Sequence, residues 1–382
     1  MKSYVQDQLM LRPDVKPYTL FSIIASMIHN DQMRGPEPEL EQVQNYVKEW
    51  RKANPVDSYP QTVLFCAQRM FDTTGISADF PWAGVVLCDT REGEHGLEPN
   101  LGDGSETNPF RAGITSYKLL ESYVDVQRNP EQTSMLHIDT TFNMNKQRFP
   151  VMVIGISDRS GHFFPVGYFC ISYRRACDIV WCLRQLDRVL HETFQERLAP
   201  EFVMMDGDKA QFNACQLTLP GSVVLMCWYH VISNVLMKAK AKGADRTQTE
   251  EIFADMYDLH FAPADEYETR KAEVIAKWDR LPTNSGVQRL ARHIIKTWIN
   301  HRMFGRWQAF HTPAGCPTTN NPLEQYHKTL KINCSNNRAT VLEMLESLDL
   351  ARLAFLASIE LARGFRDISI SCCAAPDAAI GR

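Results

Sequence analysis

Three strand-like runs crowd together in the middle of the chain: Met135 to Phe142, Phe149 to Ser157 and His162 to Tyr173. The connectors, 143–148 and 158–161, have the lengths and turn residues of hairpin loops, so the simplest structure for this stretch is an antiparallel meander. The first run, MLHIDTTF, carries Asp139 close to its end. A buried strand keeps an aspartate when that carboxylate is paired, hydrogen-bonded or holding a metal.

The same pattern recurs farther along the chain. Ile179, Cys182, Leu183, Leu186, Val189 and Leu190 mark one face of a helix from about Cys177 to Gln195. A short apolar run, Glu201 to Met205, then ends on Asp206, residues 209–217 are helical, and Ser222 to Met226 reads as a fifth strand. The order β-β-β-α-β-α-β predicts an α/β fold with a ribonuclease-H-like mixed sheet. Its first and fourth strands would be neighbours, bringing Asp139 and Asp206 to adjacent strand ends. Asp208, past a glycine, suits the cap of the next helix, and Asp158 suits a turn.

Five segments in this order, HIDTTF, FPVMVIGISDRSGHFFPVGYF, MMDGDKAQFNAC, CWYHVISNV and TTNNPLEQYHKTLK, resemble the Mutator-like element (MULE) transposase domain. The resemblance runs from Ser134 to Lys331, about half of the chain. It implies a DDE carboxylate triad of Asp139, Asp206 and Glu324, and an α-helical insertion before the helix that bears the glutamate. It also implies metal-dependent cleavage and transfer of DNA strands at transposon ends, and places His230 near the active centre, where the residue alone reads equally well as a buried, hydrogen-bonded histidine that only packs. Such chemistry uses two Mg²⁺ or Mn²⁺ ions about 3.5–4 Å apart, held by carboxylate oxygens. Asp139 is expected to bridge the ions, with Asp206 and Glu324 each holding one. One departure from the family pattern is YRRACDIVW, where members open the helix with an acidic residue and this chain offers Asp178.

Cys227 and His230 have a C-x2-H spacing, but no paired motif supplies the other ligands of a closed zinc site, so zinc is not expected there. His327, one helical turn after Glu324, is expected to face solvent. Between Arg289 and Arg338 the chain carries Arg289, Arg292, Lys296, Arg302, Arg306, Lys328, Lys331 and Arg338, with Glu324 as the one acid and Trp298, Phe304, Trp307 and Phe310 interleaved. This mixture suits backbone contacts and base stacking on DNA, with Arg302, Arg306, Lys328 and Lys331 as the selected contacts.

The rest of the chain sets the frame. With 382 residues, 44% hydrophobic, the chain can bury more than one core, and a net charge of −4 confines any nucleic-acid surface to a local patch. Residues 1–82 read as a helical N-terminal region with helices over 18–30, 40–51 and 61–72. Residues 83–130 read as a strand, an exposed loop (90–108) and a lead-in helix from Ile114 to Val126. Then come the core (131–235), a helical insertion (236–310), a C-terminal helical part (311–365) and an irregular tail (366–382). Eleven cysteines without regular spacing predict packed thiols in a reducing compartment. The early apolar stretch from Tyr18 to His29 is about half the roughly 20 residues of a membrane span. No Walker loop, G-x-G-x-x-G, nucleophile elbow or H-E-x-x-H pair is present. The expected partners are transposon-end and target DNA, with a homo-oligomer left open and the nucleus as the place of work. KAKAK at Lys238 to Lys242 is a poor import signal. The alternative reading is a domesticated descendant that binds DNA without cutting it.

Overall fold

β-Branched and aromatic residues in short runs, separated by turn residues, favour strands that are buried on both faces. The computed structural model describes residues 1–11, 15–53, 58–71, 75–93, 96–333 and 339–373. The chain divides into two compact units, 1–61 and 62–382. The first holds α1 (Lys2–Leu11), α2 (Pro17–His29) and α3 (Leu40–Ala53), which share a small core of Val5, Leu9, Leu20, Ile24, Val43 and Val47. Helix α1 was not expected. Helix α4 (Ser58–Ala67) contains the division point. Residues 62–82, grouped by sequence with the N-terminal region, contribute Phe65 and Cys66 to the second unit's core.

The second unit is built on a seven-stranded mixed sheet. Its strands are β1 (Val85–Leu87), β4 (Arg111–Thr115), β5 (Met135–Thr141), β6 (Val151–Ser157), β7 (Phe163–Ile171), β8 (Phe202–Met205) and β9 (Val223–Met226). They lie in the order β1-β4-β7-β6-β5-β8-β9. The meander β5-β6-β7 is antiparallel, and β5 pairs in parallel with β8, as β8 does with β9. The arrangement is mixed α/β and compatible with a ribonuclease-H-like fold.

Two expectations upstream need correction. The polar stretch 90–108 is not one long loop: β2 (Asp89–Gly93) and β3 (Gly96–Asn100) pair there as a separate two-stranded ribbon. The lead-in helix does not begin at Ile114, because residues 111–115 form β4 against β7; the helix, α5 (Tyr117–Arg128), starts after Ser116.

Side chains alternate between the two faces of a strand. Leu136 and Ile138 of β5, with Ile154, Val203 and Met226, pack against α6 (Ala176–Phe194) and α7 (Lys209–Thr218). The opposite face, with Val151, Val153, Tyr168 and Cys170, packs under α12 (Asn321–Asn333) and α13 (Val341–Cys373). Asp139 and His137 have the parity of this second face. Between β9 and α12 lies a helical segment: α8 (Trp228–Lys242), α9 (Arg246–Phe261), α10 (Tyr267–Asp279), α11 (Gly286–Ile294), a π-turn (Ile295–Ile299) and a short 3₁₀ turn (Ala309–His311). Its core joins that of the α6 face through Trp278, Trp298 and Trp307.

Helix α13 runs to Cys373, so residues 366–373 of the expected irregular tail are helical, while 374–382 lie outside the described residues. Six of the described cysteines, Cys66, Cys88, Cys170, Cys182, Cys215 and Cys227, are buried free thiols. Among the described residues no helix is long and apolar enough to cross a membrane.

Candidate active site

Asp139 sits on β5, opposite Val153 of β6, with 9% of its surface exposed. The Thr140 N–H donates to Asp139 Oδ1 at 2.6 Å, and His327 Nδ1 lies 3.3 Å from Oδ2. His327 is 5% exposed, which corrects the expectation that it faces solvent. Helix α12 lies across the Asp139 face of the sheet, and that packing turns His327 inward.

Asp206 follows β8, next to β5 in the sheet. His230 Nδ1 stands 2.9 Å from Asp206 Oδ1 and 3.8 Å from Glu324 Oε1, so the two carboxylates flank one nitrogen. Both are ion pairs, but the shorter lies off the hydrogen-bond direction and the longer is beyond hydrogen-bond reach, leaving His230 Nδ1 and Glu324 Oε1 buried without a hydrogen-bond partner. Glu324 occupies the first turn of α12, where the helix dipole favours a carboxylate.

The electrostatics follow from this crowding. Burial pushes Asp139 up, but His327 and the Thr140 N–H outweigh it and hold the carboxyl below the usual carboxylate range. Asp206 is raised: burial and the Asp139 charge outweigh the help of His230 and Asn320. Glu324 is raised by burial and by both aspartates, with His230 and Lys328 opposing. Burial works against charge on His230, yet Asp206, with Cys227, pushes it up to about 11. At neutral pH it is an imidazolium between two carboxylates.

Asn320, read in the sequence as part of a helix opening, has a second role. Its Nδ2 donates to Asp206 Oδ1 at 3.1 Å, and its backbone N–H donates to Cys227 Sγ at 3.2 Å. Its Oδ1 lies 2.9 Å from His137 Nδ1, and His137 Nε2 lies 2.7 Å from Ser157 Oγ. An amide oxygen can only accept, so His137 carries its proton on Nδ1 and the Ser157 hydroxyl donates to Nε2. Burial holds His137 neutral, its value lowered to about 4. The chain Ser157–His137–Asn320–Asp206 thus fixes the orientation of one candidate carboxylate from the interior of the sheet.

Two more residues shape the Asp206 loop. A Cβ on Gly207 would lie 2.6 Å from Trp298 Cη2, so the indole brought in by the π-turn needs a glycine there. Trp228, at the start of α8, stacks on His260 (ring centroids 4.1 Å apart) and on Trp307 (5.3 Å). That stack anchors the turn carrying His230. Trp298 and Trp307 are core residues, which corrects their expected role in base stacking.

Asp208 caps α7 by accepting from the Gln211 N–H, and Asp158 accepts from the Ser160 and His162 N–H groups in its turn, as expected. Asp178 is fully buried and paired with Arg111 and Arg175, which makes it a structural residue. Lys328 and Lys331 are exposed on α12, and Lys328 acts on the charge of Glu324. Arg302 and Arg306 instead line a cavity of about 450 Å³ with Phe212, Gln216, Val224 and Met303, none of them a candidate carboxylate. Arg338 lies outside the described residues.

Cys227 Sγ, a His230 ring nitrogen and a Glu324 oxygen lie within 4.8 Å of one another. This trio is the grouping of metal-capable donors found among the described residues. With Asp206 against the same histidine and the Asp139 charge acting on both Asp206 and Glu324, the oxygen donors suit a hard divalent cation better than zinc.

Among curated proteins, none matches the chain at a significant level. Residues 135–234 match the family model of the MULE transposase domain. The match opens on the first residue of β5, takes in Asp139, Asp206 and His230, and stops before Glu324. By that match, the segment from β5 into α8 is similar to a MULE transposase domain.

Proposed function

We propose that this chain is a DDE transposase with a ribonuclease-H-like core, which cuts DNA strands at transposon ends and joins the resulting 3′-hydroxyl to target DNA. The observation that carries the reading is the meeting of Asp206 and Glu324 about one histidine, with Asp139 near enough for its charge to act on both, from three elements distant in sequence. The residues fit Mg²⁺ or Mn²⁺: the donors are hard oxygens, and Glu324 Oε1 is buried with no hydrogen bond, a costly state that a cation relieves. Two bound ions would neutralise charge at phosphorus and lower the pKa of an attacking water.

In this reading Asp139, Asp206 and Glu324 would together hold the metal. His327 keeps Asp139 ionised, Asn320 aims Asp206, and His230 presents positive charge toward the scissile phosphate. Residues 131–235 and 311–365 form the catalytic unit, with 236–310 as the insertion. Lys328 and Lys331 contact the DNA backbone beside the cluster, and Arg302 and Arg306 contact it farther away. The protein works in the nucleus, with a homo-oligomer to hold paired ends.

The test is nicking and strand transfer by the full chain on duplex DNA with Mg²⁺ or Mn²⁺. Asp139→Asn, Asp206→Asn and Glu324→Gln are each expected to remove activity, as is EDTA. Parental nicking by all three variants would sink the assignment.

A further inference from the structure

Helix α8 carries Lys238, Lys240 and Lys242, and the segment of α11 with its π-turn, 286–299, carries Arg289, Arg292 and Lys296; neither contains an Asp or Glu. The two pack against each other. None of the six cations enters an ion pair with another described residue. Elsewhere the surface mixes signs, as in the pairs Arg246–Glu250 and Arg270–Glu266. On a chain of net charge −4, those of the six that no internal contact accounts for call for an external polyanion.

The ridge starts at the candidate site. His230, Asn234, Lys238 and Lys242 recur at four-residue spacing and so share one face of α8. On α11, His293 Nε2 lies 3.3 Å from Asn234 Oδ1. Burial, then Lys242 and Lys238, hold His293 below its ordinary range, which sets both lysines beside α11. Lys238, Arg292 and Lys296 are exposed. Part of the ridge has a structural account: Lys240 and Lys242 complement the α8 dipole, and Arg289 donates to the Lys242 and Asn284 carbonyls. Lys238, Arg292 and Lys296 have none.

We propose that the α8–α11 ridge is the track along which the DNA backbone leaves the carboxylate cluster. The proposal rests on the transposase reading above and adds a path for the duplex. From His230 to Lys242 the helix rises about 18 Å. One DNA strand presents a phosphate about every 3.4 Å along its axis, so the face spans about five phosphates. Lys238, Lys242, Arg292 and Lys296 contact them, with no base read.

The test is binding of the full chain to a linear duplex in EDTA, followed by fluorescence anisotropy between about 50 and 200 mM salt. Working without metal separates binding from cleavage. Each phosphate contact contributes about −0.9 to the slope of log K against log salt, so Lys238→Gln, Arg292→Gln and Lys296→Gln should each flatten it by about that amount. Lys240→Gln, on another face of α8, should leave the slope unchanged and shows what loss of a cation does to the fold alone. If the ridge variants keep the parental slope, or Lys240→Gln flattens it equally, the track is wrong while the transposase reading stands. If the parent shows no salt-dependent DNA binding at all, both fall.

Discussion

His327 of α12 lies 3.3 Å from Asp139 of β5, and both side chains are nearly closed to solvent. The pair ties the late helix to the early strand through a carboxylate proposed to help hold the metal. Partners that orient a metal-bound carboxylate are typically worth about 10–100-fold in activity or metal affinity. His327→Gln is therefore expected to lower nicking by about that range and to raise the metal concentration needed for half-maximal rate. An unchanged metal dependence would mean that the pair only packs.

Glu324 has an opposite signature in stability. Its value is raised by burial and by both aspartates, so its negative charge opposes folding at neutral pH. Glu324→Gln should leave Tm in EDTA equal to or above the parent's. The same variant should lose most of the Tm rise that Mg²⁺ or Mn²⁺ gives the parent, since a ligand stabilises only the state it binds. Differential scanning calorimetry with and without metal checks both halves, and a clear fall in Tm without metal would contradict the charge argument.

His260 supplies a pH dependence away from the carboxylates. It is fully buried, its Nδ1 donates to the Trp307 carbonyl at 2.7 Å, and burial lowers its value from 6.5 to about 4. The unfolded chain takes up a proton near 6.5 while the folded chain resists until about 4, so stability falls as pH falls through that window. The loss is up to about 3 kcal/mol. His260→Gln should flatten this part of the stability profile, measured by urea unfolding between the two values.

Gly207→Ala forces either the Asp206 loop or Trp298 to move, because the added methyl would meet the indole at 2.6 Å. Overpacking of this kind costs about 1–3 kcal/mol. Activity should drop more than stability, since the displaced loop carries a candidate ligand. Trp298→Leu in the same chain should recover part of the stability loss; simple additivity of the two changes would show that the contact is not the cause.

The sequence carried the two aspartates because each ends an apolar run, a pattern that a buried strand rarely tolerates without a reason. It carried Glu324 through a recognisable segment and the meander through its turn lengths. The burial of His327 is not legible in the sequence, because helical spacing gives its turn but not the side of α12 that meets the sheet. Asn320 was read as a helix opener, which hid its contacts to Asp206 and His137, although His137 stands two residues before Asp139 and so shares its strand face. Trp298 and Trp307 lie among basic residues and looked available for stacking, yet long-range packing buried them. β2 and β3 escaped because their exposed, charged residues carry no apolar alternation.

The helical segment between β9 and α12 also imposes an order of manufacture. A ribosome delivers both aspartates and His230 well before it delivers Asn320, Glu324 and His327. A nascent chain, or a product truncated within the insertion, holds the first two carboxylates without the third and without the groups that orient and ionise them. The proposed carboxylate cluster is therefore complete only once the insertion and the first turn of α12 have been made, later than the whole sheet.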